Sequence, residues 1–106
     1  MDRNLFVMQA DLCKAIAHPT RIEILQLLRE GERCVCEIHP ALGIDQPNAS
    51  RHLAVLKKEG ILSSRKEGLK MIYRVNDQKI FDLLELVTAM LKEHWSTKTE
   101  SLAQGG

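Results

Sequence analysis

No stretch of this chain is apolar over the length that a membrane-spanning helix needs, about 20 residues. Nor does its start read as a secretory signal. Met1-Asp-Arg-Asn is followed only by the short apolar stretch Leu5 to Met8, which is too brief for an h-region. A cytoplasmic protein with no membrane partner is expected. Internal repeats and low-complexity tracts are missing as well. Cysteine is scarce: there are three, and two of them stand one residue apart. An odd, tightly spaced set excludes a disulfide framework. In a reducing compartment it leans toward metal or redox chemistry. Net charge is nearly absent at +1, so the overall balance says nothing about a polyanionic partner.

Against these absences, 106 residues at 44% hydrophobic content suffice for one domain with a modest core. A single domain is expected over 1–106, ordered from about 5 to 96, with a flexible tail at 97–106. A monomer this small would gain from dimerisation. The charge is also unevenly placed. Residues 46–75 hold seven Lys/Arg against two Glu, whereas the remainder holds eight basic and twelve acidic residues. A basic block in an otherwise acidic chain points to a polyanion on one face. Solvated surface charge is the plainer alternative.

The apolar spacing predicts a first helix over Leu5–Ala17, with one stripe of Leu5, Met8, Leu12 and Ile16 and a second of Phe6, Ala10, Cys13 and Ala17. His18-Pro19 breaks it. A second helix runs from about Thr20 to Arg29 and ends at Gly31. Val35 to Leu42 has helical spacing, but Pro40 removes a donor and crowds the Cys36 carbonyl. That helix is expected either to start late, near Pro40, or to be distorted around Cys36. Gln46 to Gly60 forms the next helix, with Ala49, Leu53 and Leu56 inward. Leu62–Lys66 and Met71–Val75 form a hairpin about Glu67-Gly68-Leu69-Lys70. A last helix is capped by Asp77 and runs to about Ser96. Its wide apolar face includes Leu84, Val87, Leu91 and Trp95. With Leu5, Met8 and Leu12 it suggests a dimer seam.

The resulting fold class is mainly α with a small β-hairpin wing, a winged helix-turn-helix. Asn, Gln, Ser and Arg hydrogen-bond base edges in the major groove, which admits a helix. Asn48 and Arg51 are the candidates for base edges. Gln46, Ser50 and His52 are candidates for phosphate or mixed contacts, although His52 could instead pack against a neighbouring helix. On the wing, Lys66, Lys70 and Arg74 can reach phosphates, as can Arg65. Winged helices also serve as protein-interaction modules, which is the alternative reading of the same fold.

Cys34-Val-Cys36-Glu-Ile-His39-Pro raises a separate question. Residues two apart on a helix point about 200° apart, so Cys34 and Cys36 cannot clamp one ion unless the helix is unwound there. Cys36 and His39 share a face only if the segment is helical. Packing, a metal site and a redox pair are all open on these residues alone. A small thiol oxidoreductase or metal carrier could also use such a pair. It would need an exposed cysteine of low pKa, and nothing in the sequence offers a substrate pocket, so no enzyme is expected.

Ala17-His-Pro-Thr-Arg-Ile-Glu-Ile-Leu25, Ser50-Arg-His-Leu53, Leu56-Lys-Lys-Glu-Gly-Ile-Leu62 and Tyr73-Arg74 together resemble the ArsR/SmtB family of metal-responsive bacterial repressors. The resemblance covers about Leu12 to Val75 and continues loosely through the last helix. It implies a homodimer joined through the first and last helices, bound to a palindromic double-stranded operator and released by an inducer. Cys34-Val35-Cys36 resembles the motif of the arsenic-sensing branch, which implies As(III) or Sb(III) as inducer and no metal required for folding. A third cysteine of that motif is replaced here by His39. A histidine there would suit Zn²⁺, Cd²⁺ or Pb²⁺ better. Cys13 is expected in the core, with a third-thiolate role as the alternative. A redox or persulfide switch remains open, but the family's partner cysteine on the last helix is missing. A second family site, an Asp-x-His pair on the last helix, is absent, because Asp82 is followed two residues on by Leu84.

Overall fold

The computed structural model describes residues 2–105, with side chains described through Lys92 and at His94. In chain order the elements are α1 (Arg3–Ile16), α2 (Pro19–Leu28), β1 (Arg33–Cys34), α3 (Val35–Leu42), α4 (Gln46–Lys58), β2 (Leu62–Glu67), β3 (Lys70–Val75) and α5 (Lys79–Gly105). The tail expected at 97–106 and the apolar role of Trp95 fall on side chains outside those described.

Side chains at the breaks start the helices. His18 Nδ1 accepts from the Thr20 N–H at 3.1 Å, with Pro19 in the first turn of α2. Asp45 Oδ1 accepts from the Asn48 N–H at 2.8 Å and caps α4. Asp77 Oδ1 accepts from Lys79 N–H at 2.9 Å ahead of α5. The core is one cluster. Ile24, Leu25 and Leu28 of α2, Ile38 of α3, and Leu53 and Leu56 of α4 are closed off by Leu62, Val75, Ile80, Phe81 and Leu84. α5 is fastened to α2 by Arg29, whose guanidinium lies 5.3 Å from the Phe81 ring centre and pairs with Glu85.

The hairpin forms as expected, from Leu62↔Val75 to Glu67↔Lys70. Gly68 takes φ 63° at the first central position of its two-residue turn, where a side chain would be strained. Leu69, beside it, is fully exposed at the tip. A third strand, β1, was not foreseen. Arg33 pairs with Tyr73 and Cys34 with Ile72, giving an antiparallel sheet in the order β1-β3-β2.

Three expectations need correcting. First, Pro40 neither delays nor unwinds α3, which runs continuously from Val35 to Leu42 with Pro40 inside it. Proline forgoes one bond to Cys36, but the other end is closed: Gly43 is left-handed at φ 68°, and the Ile44 N–H reaches the His39 carbonyl at 3.1 Å. The fully buried Ile38 docks the helix against the core. Second, Leu84 does not belong to a free seam. It is 7% exposed and packed in the protomer's own core. Third, Cys13 is not in the protomer core; it is exposed on α1. Only Ala15 and Ile16 of α1 are buried, so its two stripes lack cover within one chain.

Candidate nucleic-acid interface and thiol pair

α4 turns Ala49, Leu53 and Leu56 fully inward. The helical period then sends the polar residues of its N-terminal half outward. Gln46 and Arg51 are exposed, and Asn48 and Ser50 are half-exposed. Arg51 donates to Asn48 Oδ1 at 3.4 Å, so the two candidate base readers already lie side by side. Lys57 and Lys58 occupy the last turn, away from the reading end.

His52 stands apart from that group. It is half-buried and accepts from Arg21 Nε at 3.3 Å through its Nδ1, and its ring centre lies 4.4 Å from that of His18. It is a packing residue between α2 and α4 rather than part of the outward face. Burial holds its pKa below the ordinary histidine value, with the neighbouring His18, Arg21 and Arg51 acting in the same direction.

The wing cations divide into two groups. Lys66, Lys70 and Arg74 are exposed, and no carboxylate lies within ion-pair distance of Lys66 or Lys70 among the described residues. Arg65 is engaged by a fork of two bonds to Glu32, at 2.6 and 2.7 Å, and by Glu67 at 2.9 Å. The hydrogen bond from Arg65 lowers the Glu32 carboxyl pKa and raises that of the guanidinium.

The cysteine sulfurs meet. Cys34 and Cys36 form a disulfide across a Cα–Cα distance of 5.1 Å. Cys34 lies outside α3, as its N-cap and as the last residue of β1, with extended backbone at φ −75° and ψ 150°. Only Cys36 is within the helix, so the expected 200° divergence never arises. Cys34 Sγ lies 2.8 Å from the Cys36 N–H, and Glu37 Oε1 accepts from the Cys34 N–H at 3.3 Å, completing a capping box. Cys34 is 1% exposed, whereas Cys36 faces solvent. His39 Nδ1 contacts the Ile44 carbonyl at 3.1 Å at the other end of α3. Among the described residues no three His, Cys, Asp or Glu side chains gather as a metal site, so neither His39 nor Cys13 joins the pair within one chain.

Sequence reasoning missed Glu32 and assigned no role to Arg21. Arg21 stood within a quoted motif, but its partners come from α1 and α4. Glu32 precedes a strand too short to leave a pattern.

A capped helix with an outward row of amide, hydroxyl and guanidinium groups beside a basic antiparallel hairpin defines a winged helix-turn-helix regulator of the DNA-binding class. Residues 18–64 match the arsR family of bacterial regulatory proteins. The homodimeric winged helix-turn-helix DNA-binding domain Mb0332 of Mycobacterium bovis superimposes with a TM-score of 0.79 at 35% identity, covering 92% of each chain. An uncharacterised HTH-type transcriptional regulator of Methanocaldococcus jannaschii is 44% identical over 79 residues, 74% of this chain and 89% of the relative. The arsenical resistance operon repressor of Escherichia coli is 44% identical over 72 residues, 67% of this chain and 62% of that repressor. The chain belongs to the arsR family of transcriptional regulators. No helix among the described residues is long and apolar enough to cross a membrane.

Proposed function

We propose that the protein is a cytoplasmic homodimeric repressor whose operator is released when arsenite or antimonite binds the thiolates of Cys34 and Cys36. One observation carries the reading: the two sulfurs converge, one belonging to the wing sheet through β1 and the other to α3. Soft trivalent arsenic and antimony favour thiolates, and one such atom can bridge sulfurs on Cα atoms 5.1 Å apart. The Cys36 N–H, directed at Cys34 Sγ, holds that sulfur over the first turn of α3, on the side of Cys36. Exposed Cys36 is the point of entry, and buried Cys34 completes the site. The arsenical-resistance relative supports the choice of inducer.

In this reading Asn48 and Arg51 take base edges, Gln46 and Ser50 take phosphate or mixed contacts, and Lys66, Lys70 and Arg74 take phosphates. The partner protomer covers α1 and the outer face of α5. Leu5, Met8 and Leu12 of α1 and Val87, Met90 and Leu91 of α5 are each at least 38% exposed in one chain, and a two-fold seam along both helices would remove that surface from water. A second reading rests on the disulfide itself: oxidation of the pair would supply the signal. A sensor of Zn²⁺, Cd²⁺ or Pb²⁺ through His39 has less support, because His39 is not gathered with the sulfurs.

The test is an arsenite titration of the reduced protein bound to a duplex selected by that protein from a random pool. Wild-type protein releases the duplex. Cys34→Ser and Cys36→Ser retain DNA binding and no longer respond. Release that is unchanged in both variants would rule the pair out as the sensor. Release by a thiol oxidant with none by arsenite would favour the redox reading.

A further inference from the structure

We propose that Arg21 is a positioning residue that locks the recognition helix to the dimer helix and so sets the spacing of half-sites the dimer accepts. The proposal rests on the DNA-binding reading above. Arg21 lies in the first turn of α2 and is half-buried. Its guanidinium donates to the α1 carbonyls of Ala15 at 2.9 Å and Lys14 at 3.3 Å. Its Nε donates to His52 Nδ1 on α4 at 3.3 Å. One rigid planar group therefore ties the last turn of α1 to the middle of α4.

The three acceptors fit that role. Lys14 and Ala15 are in the last turn of α1, where a cation is favoured. The Lys14 carbonyl also accepts the Ala17 N–H at 3.3 Å, and the guanidinium adds bonds to both carbonyls from another helix. His52 is fixed from its other face by the His18 ring, 4.4 Å away, and His18 is itself fixed as the cap of α2. The residue before His52 is Arg51, a candidate base reader, so a rotation of His52 about the α4 axis carries Arg51 with it. α1 holds exposed seam residues Leu5, Met8 and Leu12. In a two-fold dimer the angle between α1 and α4 is repeated on both sides, so a small change in one protomer doubles in the distance between reading heads. Lysine cannot replace this fork, because a single ammonium lacks the planar geometry that serves acceptors on two helices at once.

The experiment uses the full-length protein and a duplex enriched by the wild-type protein from a random pool. The spacer between half-sites is then varied one base pair at a time around the enriched length. Affinities are measured across a salt series. Arg21→Lys is expected to bind the enriched duplex about tenfold more weakly, as for a lost charged hydrogen bond, and to discriminate less between spacings. Its log–log salt slope should stay at the wild-type value, because no phosphate contact is lost. His52→Asn, which keeps an acceptor near the Nδ1 position, should retain the wild-type spacing preference. His52→Leu, which removes the acceptor, should relax it as Arg21→Lys does. A lower salt slope in Arg21→Lys would make Arg21 a phosphate contact and overturn the proposal. So would a spacing preference unchanged in both Arg21→Lys and His52→Leu. If Arg21→Lys fails to fold, the two His52 variants decide the outcome alone. Failure of wild-type protein to enrich any duplex would overturn the DNA-binding reading itself, and this inference with it.

Discussion

The wing offers a quantitative test of which cations face DNA. By charge alone, Arg65, Lys66, Lys70 and Arg74 are equivalent. The structure separates them: Arg65 is held by two bonds to Glu32 and one to Glu67, all at or below 2.9 Å, whereas Lys70 stands exposed beside the turn. Each phosphate neutralised in B-DNA contributes about 0.9 to the slope of log affinity against log salt. A dimer has two wings, so Lys70→Ala should lower the slope by about 1.8. Between 50 and 200 mM salt, a fourfold range, that removes roughly tenfold of the salt-induced loss in affinity. Arg65→Ala should leave the slope near the wild-type value. Glu32→Gln should raise it, because a neutral amide releases the guanidinium toward the phosphates. The assay is fluorescence anisotropy of a labelled duplex at several salt concentrations. A slope that falls as far for Arg65→Ala as for Lys70→Ala would refute the reasoning, since Arg65 would then be a phosphate contact despite its carboxylate partners.

Three further outcomes follow from burial. Val87→Glu places a charge on the exposed outer face of α5 and should shift the protein from dimer to monomer in analytical ultracentrifugation with its helical circular dichroism retained. Leu84→Ala, one turn earlier but within the core, should instead cost about 2–5 kcal/mol of unfolding free energy measured in urea. The His52 pKa is lowered by folding from an ordinary value of 6.5. The unfolded chain therefore binds a proton that the folded one resists, so His52 causes no loss of stability above about pH 6.5 and a progressive loss as pH falls below it. The melting temperature of His52→Asn should decline less than that of wild type between pH 7 and pH 5.5.

Most of the fold was legible because its boundaries are set by local chemistry. Pro19 and Asp77 mark helix starts, Gly31 and Gly60 mark stops, and Glu67-Gly68-Leu69-Lys70 marks the hairpin. Each acts within a few residues, so each leaves a readable signal. β1 left none, because a two-residue strand has no period and is defined only by pairing with Tyr73 and Ile72. The wide apolar face of α5 was visible, but its division was not. Ile80, Phe81 and Leu84 pack within the protomer, whereas Leu83, Leu86, Val87, Met90 and Leu91 stay exposed. Hydrophobicity shows that a face will be buried; whether by its own chain or by a second copy depends on where the other helices lie. His52 was ambiguous for the same reason, since its partners Arg21 and His18 lie more than thirty positions away in sequence.

The cysteine pair shows how one capping residue alters a functional argument. Treated as two positions of a helix, Cys34 and Cys36 diverge, and an unwound segment is needed to bring them together. Pro40 was the obvious cause, but α3 is intact around it. The convergence comes from the other end. Cys34 does not propagate the helix; it caps it, and its extended backbone returns the sulfur over the first turn. Cysteine is not among the residues favoured at N-caps, so the sequence carried no signal for this. The sheet supplies the reason: β1 pairing with β3 holds Cys34 extended until α3 begins. A bridge between the sulfurs therefore joins a strand of the wing sheet to the helix preceding α4. A ligand held by both sulfurs would therefore sit at the junction between β1, which pairs with β3 of the wing, and α3, which packs against α4.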